Sequence, residues 1–167
     1  MAVLTLRSAQ QTPQYGGDLA NRLYPMDEGG KLRILRASIA ALAAAGDIGT
    51  TIELCRIPQG RSRLLPYMSR LWTTAYGAAR VLDIGVRAYY GSDGKTVVAE
   101  NANQIANDID VSAALAASMI DPTSHIDYFA QASVDERDKG PMIFATIAGG
   151  TIPVGATLEA MFVFITY

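Results

Sequence analysis

The run Val81-Leu82-Asp83-Ile84-Gly85-Val86-Arg87-Ala88-Tyr89-Tyr90 decides the fold. Apolar and polar side chains alternate along it, the period of a half-buried β-strand and not of a helix. It stops at Gly91-Ser92-Asp93-Gly94, the chemistry of a tight turn with positive φ at glycine, and Thr96-Val97-Val98 follows as a second strand-like run. A hairpin or a short excursion is expected there. Working outward toward the N-terminus, residues 32–39 and 50–57 alternate in the same way, and residues 63–74 read as one long strand with Pro66 at one edge. Gly46-Asp47, Pro58-Gln59-Gly60 and Tyr76-Gly77 punctuate these runs.

Toward the C-terminus, residues 142–148 and 157–166 form two closing strands, joined by Gly149-Gly150-Thr151-Ile152-Pro153-Val154-Gly155. The last run, Leu158-Glu159-Ala160-Met161-Phe162-Val163-Phe164-Ile165-Thr166, is apolar on both faces, as in a strand buried between layers or against a neighbouring subunit. Residues 107–119 are the helix candidate, with Asp110 or Ser112 as a start signal and an alanine-rich body closed before Asp121-Pro122. A loop with a single helical turn is the alternative. About seven or eight strands suit two packed antiparallel sheets, so the expected fold class is all-β, an antiparallel jelly-roll-like sandwich with one short helix.

Residues 1–30 differ from the rest. They hold Pro13, Gly16-Gly17, Pro25 and Gly29-Gly30 with no sustained period, and they read as an extended N-terminal arm preceding a β-sandwich domain over residues 31–167. Val3, Leu4, Leu6, Tyr15, Leu19, Leu23 and Tyr24 give the arm apolar surface. Such an arm either lies on another surface or frays.

A chain of 167 residues suits one core. Hydrophobic residues make up 50% and charged residues 18%, against about 25% charge in an ordinary soluble chain, and surplus apolar surface usually ends in an interface. Net charge is -2. No Lys/Arg-rich block is present, so direct nucleic-acid binding is not expected. The charge is uneven, however: residues 1–83 carry 10 Lys and Arg against 6 Asp and Glu, and residues 84–167 carry 4 against 10. Two such halves can meet head to tail between subunits, or simply be solvated. The N-terminus has no signal-peptide pattern and the apolar runs fall short of the roughly 20 residues of a membrane helix, so synthesis as a soluble cytoplasmic chain and no membrane partner are expected.

Reactive chemistry is sparse. His125 is the one histidine, which rules out a histidine-rich metal site by counting. Gly91-Ser92-Asp93-Gly94-Lys95-Thr96 fails as a phosphate loop because Tyr89 stands where the first glycine belongs and a strand follows in place of a helix. The carboxylates Asp108/Asp110 and Asp135/Glu136/Asp138 lack the ligand spacing of a calcium loop. Cys55 lies in a strand pattern without an activating neighbour, and no Gly-x-Ser-x-Gly elbow occurs. No enzyme and no cofactor are therefore expected. Tyr67, Trp72, Tyr76, Tyr89 and Tyr90 serve packing first and a sugar-stacking platform second.

The stretch Gly46-Asp47-Ile48 through Ile52-Glu53-Leu54-Cys55-Arg56-Ile57-Pro58-Gln59-Gly60, followed by Val81-Leu82-Asp83-Ile84-Gly85 and the apolar strand over residues 157–167, resembles the capsid decoration, or cement, proteins of tailed bacteriophages. The resemblance covers roughly residues 46–167 and carries no catalytic residue. It implies a jelly-roll-like virion subunit, commonly a homotrimer, that docks on the phage major capsid protein lattice at the capsid surface and stabilises the head. The interface candidates on that reading are Leu4, Leu6, Tyr15, Leu19, Leu23 and Tyr24 of the arm, Arg56, Arg61 and Arg63 of the basic stretch, and Phe162 and Phe164 of the last strand. The alternatives are a phage tail or receptor-binding module that binds carbohydrate through Trp72 and the tyrosines, and, with least support, a hydrolase built on Glu53, Asp83 or the acidic loops.

Overall fold

The computed structural model of the chain describes residues 2–6, 31–39, 50–120, 127–130, 132–135 and 139–166. Among these the architecture is nearly all β, and every strand pair is antiparallel. The larger sheet is built on β14 (Leu158–Thr166). On one side β14 pairs along its whole length with β2 (Lys31–Ile39), and β2 pairs in turn with β1 (Ala2–Leu6). Its other side is shared by β4 (Gly60–Leu64), which carries β11 (Asp127–Ala130), and β5 (Arg70–Thr73), which carries β10 (Leu115–Met119).

The second sheet has the order β3-β13-β6-β9, from β3 (Thr51–Arg56), β13 (Met142–Ala148), β6 (Val81–Val86) and β9 (Asn101–Asp110). A small third sheet joins β12 (Ala132–Ser133), β7 (Tyr89–Tyr90) and β8 (Val97–Val98). The hairpin expected at Gly91-Ser92-Asp93-Gly94 is the β7-β8 pair, closed by the Gly94 N–H donating to the Gly91 carbonyl at 2.9 Å.

Alternation builds the core. Leu35 and Ala37 of β2 and Leu158, Ala160, Phe162 and Phe164 of β14 turn inward from the large sheet. Leu82, Ile84 and Val86 of β6 and Ile143, Ala145 and Ile147 of β13 turn inward from the four-stranded sheet and meet them in one cluster. The two sheets are thus the layers of a jelly-roll-like sandwich. The inward side chains of β14 lie between the layers, while Met161 and Ile165 on its other side stay partly exposed.

Two expectations are corrected. Residues 107–119 contain no helix: 107–110 extend β9 and Leu115–Met119 form β10. Asp108 at φ 54° and Ala117 at φ 56° are incompatible with a right-handed helix. The Asp110 side chain accepts from the Ser112 N–H at 2.8 Å, capping a bend with the bond that would otherwise start a helix. Alanine's helix propensity is a weak preference, and pairing with β6 and β5 overrides it. The long strand over residues 63–74 is also broken, into β4 and β5, by a 3₁₀ turn at Pro66–Met68. Proline has no N–H to give the ladder, so the chain leaves β14 there and returns four residues later.

Candidate functional site

The outer faces of the two sheets carry the chain's exposed chemistry, and register decides what each presents. On the large sheet Arg36 sits opposite Met161, Leu32 opposite Ile165, and Ile34 opposite Val163, all with the outward phase. Arg63 of β4 pairs with Ile165, and Arg70 and Trp72 of β5 pair with Met161 and Glu159, so they share that face. Arg61 follows by alternation, exposed beside buried Ser62. The face therefore presents Arg36, Arg61, Arg63 and Arg70 around partly exposed apolar residues, with Glu159 on β14 and Asp127 of β11 standing opposite Arg63 in the β4–β11 register. Arg70 is held upright by donating to the carbonyls of Tyr67 at 2.6 Å and Ser69 at 2.9 Å. Beside Trp72, with Arg36, Ser38, Glu159 and Met161, the face dips into a cavity of about 300 Å³.

The outer face of the four-stranded sheet carries mainly carboxylates among its described side chains. Asp83 of β6 is outward because Leu82 and Ile84 are fully buried. Asp110 pairs with Val81 on the same face, and Glu53 pairs with Phe144. The Asp83 carboxylate accepts from the Asp108 N–H at 2.8 Å. The Ser112 hydroxyl and N–H hold the Asp110 carboxyl below the usual carboxylate range. Phe144, outward but buried, is roofed by the Arg87 guanidinium at 4.4 Å from its ring centroid, and Arg87 pairs with Glu100 at 2.8 Å.

The expected interface residues part company. Arg61 and Arg63 lie on the outer face of the large sheet, whereas Arg56 is at the rim, donating to the Gly140 carbonyl at 2.9 Å and lining a cleft of about 450 Å³ with Arg33 and Lys139. Phe162 and Phe164 are fully buried within the chain's own core. Leu4 and Leu6 lie in β1, in register with Arg36 and Ile34. Tyr15, Leu19, Leu23, Tyr24 and His125 lie outside the described residues. Arg36 and Arg70 went unmarked in the sequence. Strand phase within residues 32–39 would have found Arg36, but no local signal marks Arg70.

The aromatics divide as packing requires. Tyr76 and Tyr89 are buried, and Tyr76, its phenol pushed up to about 12 by burial, donates to the Thr157 carbonyl at 3.1 Å. Tyr67 stands exposed on the 3₁₀ turn. Cys55 is buried and burial pushes its thiol up, away from the thiolate a nucleophile needs. Glu53 and Asp83 lie on strands separated by β13, on an open sheet face. Among the described residues no three His, Cys, Asp or Glu side chains are grouped to hold a metal ion, and no helix is long and apolar enough to cross a membrane.

No family model matches the chain, and no curated protein does. Among solved structures, a chain of the cyanophage Pam1 capsid asymmetric unit is similar over 91% of this chain and 95% of that one, with a TM-score of 0.58 at 13% identity. The fold is one that a viral capsid uses. A chain of the infectious bursal disease virus VP2 subviral particle also matches, at 15% identity over 81% of this chain and 33% of that one, with a TM-score of 0.41.

Proposed function

We propose that the protein is a non-enzymatic virion structural subunit, a capsid decoration or cement protein that oligomerises, as a homotrimer, and docks on the major capsid protein lattice at the surface of a phage head. The observation that carries this reading is end-to-end fold likeness to a chain of a phage capsid asymmetric unit, nearly the whole of each chain being matched. The outer face of the large sheet supports it, since guanidinium groups interleaved with Leu32, Ile34 and Ile165 suit a protein surface. Repetition around a lattice converts modest single contacts into strong retention, so the subunit needs no deep pocket.

Co-sedimentation of the purified protein with expanded capsids that lack it tests the proposal. Saturable binding with a raised disruption temperature of the shell is expected, and a monomer that leaves shells unchanged would sink it. A second reading, a tail or receptor-binding module for carbohydrate, draws on the cavity beside Trp72, where an indole, Arg36 and Glu159 lie together. It predicts that Trp72→Ala abolishes glycan-array binding while assembly is unaffected.

A further inference from the structure

Ser38 of β2, Glu159 of β14 and Trp72 of β5 stand directly opposite one another in register, a row that crosses three strands of the large sheet. The row is a ridge between two cavities, and all three side chains line both. One, of about 300 Å³, lies toward Arg36 and Met161. The other, of about 430 Å³, lies toward the strand ends at Thr74 and Thr157. Beside Trp72, β10 bulges between Leu115 and Ser118, and the small side chains of Ala116 and Ala117 there leave the indole half exposed.

The two cavities differ in what they offer. The first holds one exposed cation and one exposed anion, Arg36 and Glu159, which form no ion pair with each other. The second is walled by a pinned pair of threonines. The Thr157 N–H donates to the Thr74 hydroxyl at 2.9 Å, the Thr74 N–H donates to the Thr157 carbonyl at 3.3 Å, and the buried Tyr76 phenol donates to the same carbonyl at 3.1 Å. Both cavities are thus preformed on strands, which lowers the ordering cost of binding.

We infer that this ridge binds a neutral oligosaccharide of at least two sugar units, one seated in each cavity, with the linked rings crossing over the Trp72 indole. The inference deepens the carbohydrate reading above and rests on it. A sugar ring lays its C–H face on an indole, and each of its hydroxyls both donates and accepts, so one ligand can donate to Glu159 and accept from Arg36. An anion would meet Glu159 and a cation would meet Arg36, whereas a neutral polyhydroxyl ligand uses both. The site also leaves room for a shell contact. Leu32 and Ile165 lie six residues along β2 from Ser38, about 20 Å away, so a subunit seated by that end keeps Trp72 open.

Trp72 is the one tryptophan of the chain, so its emission reports on this site alone. The test titrates the full chain with maltotriose, cellotriose and tri-N-acetylchitotriose, with glucose and sialyllactose as comparators, alongside a glycan array. At least one neutral trisaccharide should shift the emission saturably, and glucose should bind at least about tenfold more weakly. Arg36→Gln and Glu159→Gln, each checked for a native circular dichroism spectrum, should each weaken the trisaccharide at least about tenfold, the loss of a hydrogen bond to a charged group. Titration of wild type needs no variant to fold, and no saturable shift with any neutral trisaccharide overturns the inference. Equal binding of glucose, or variants that bind as wild type does, overturns it as well. Trp72-dependent binding confined to sialylated glycans overturns the inference and spares the carbohydrate reading, and an array on which nothing binds overturns both.

Discussion

The Asp93 carboxylate, at the tip of the β7-β8 hairpin, accepts from the Thr96 hydroxyl and from the Lys95 and Thr96 N–H groups. The hydroxyl is the largest influence, and together these donors bring its pKa from the ordinary 3.8 to about 2. A carboxyl depressed in the folded state contributes stability that is present above the ordinary value and lost as pH falls through the folded one. Amide exchange at Lys95 and Thr96 should therefore quicken, relative to its intrinsic rate, only between about pH 4 and pH 2, while the core strands keep their protection. Because Asp93 is fully exposed, the effect should stay local. A carboxyl NMR titration near 4 would contradict the geometry. Gly85 shows a different residue-scale demand: a Cβ there would fall inside the backbone of Asn101 and Ala102, which crosses the outer side of β6.

At the scale of elements, the interrupted edge beside β14 depends on one hydroxyl. Where the 3₁₀ turn draws the chain away from the ladder, the Leu65 N–H donates to the Val163 carbonyl at 2.8 Å. The buried Ser69 hydroxyl accepts from the Val163 N–H at 3.1 Å and donates to the Leu65 carbonyl at 2.9 Å. Ser69 thus replaces the missing rung between β4 and β5. Ser69→Ala leaves a buried N–H without its partner and should lower the unfolding free energy by about 1–3 kcal/mol, read from the urea midpoint at unchanged slope. An unchanged midpoint would mean that the turn is not held by this bond.

For the whole molecule, one core joins both layers, and Cys55 lies within it at 1% exposure. Its thiol is both covered and pushed up by burial, so labelling must wait for opening of the sandwich. A thiol-specific reagent near pH 8 should react with the native protein about 10³-fold or more slowly than with the urea-unfolded chain, and the rate should climb across the unfolding transition. Rapid labelling of the native protein would show that β3 opens on its own, without the rest of the core.

Alternation alone determined the fold class, because a strand's two-residue period is written in neighbours: Val81 to Val86, residues 142–148 and the final run were legible directly, as was the Gly91-to-Gly94 turn. Only the tertiary structure made strands of residues 107–119, since partners from β6 and β5 outweigh alanine's local preference, and only it split residues 63–74 at Pro66. The candidate surface was half legible. Arg61 and Arg63 could be seen as a basic stretch, but the face they share with Arg36 and Arg70, and the carboxylate-bearing face behind it, depend on which strands are neighbours. That choice is made by burial of distant apolar side chains against one another, a non-local quantity that no window of sequence contains.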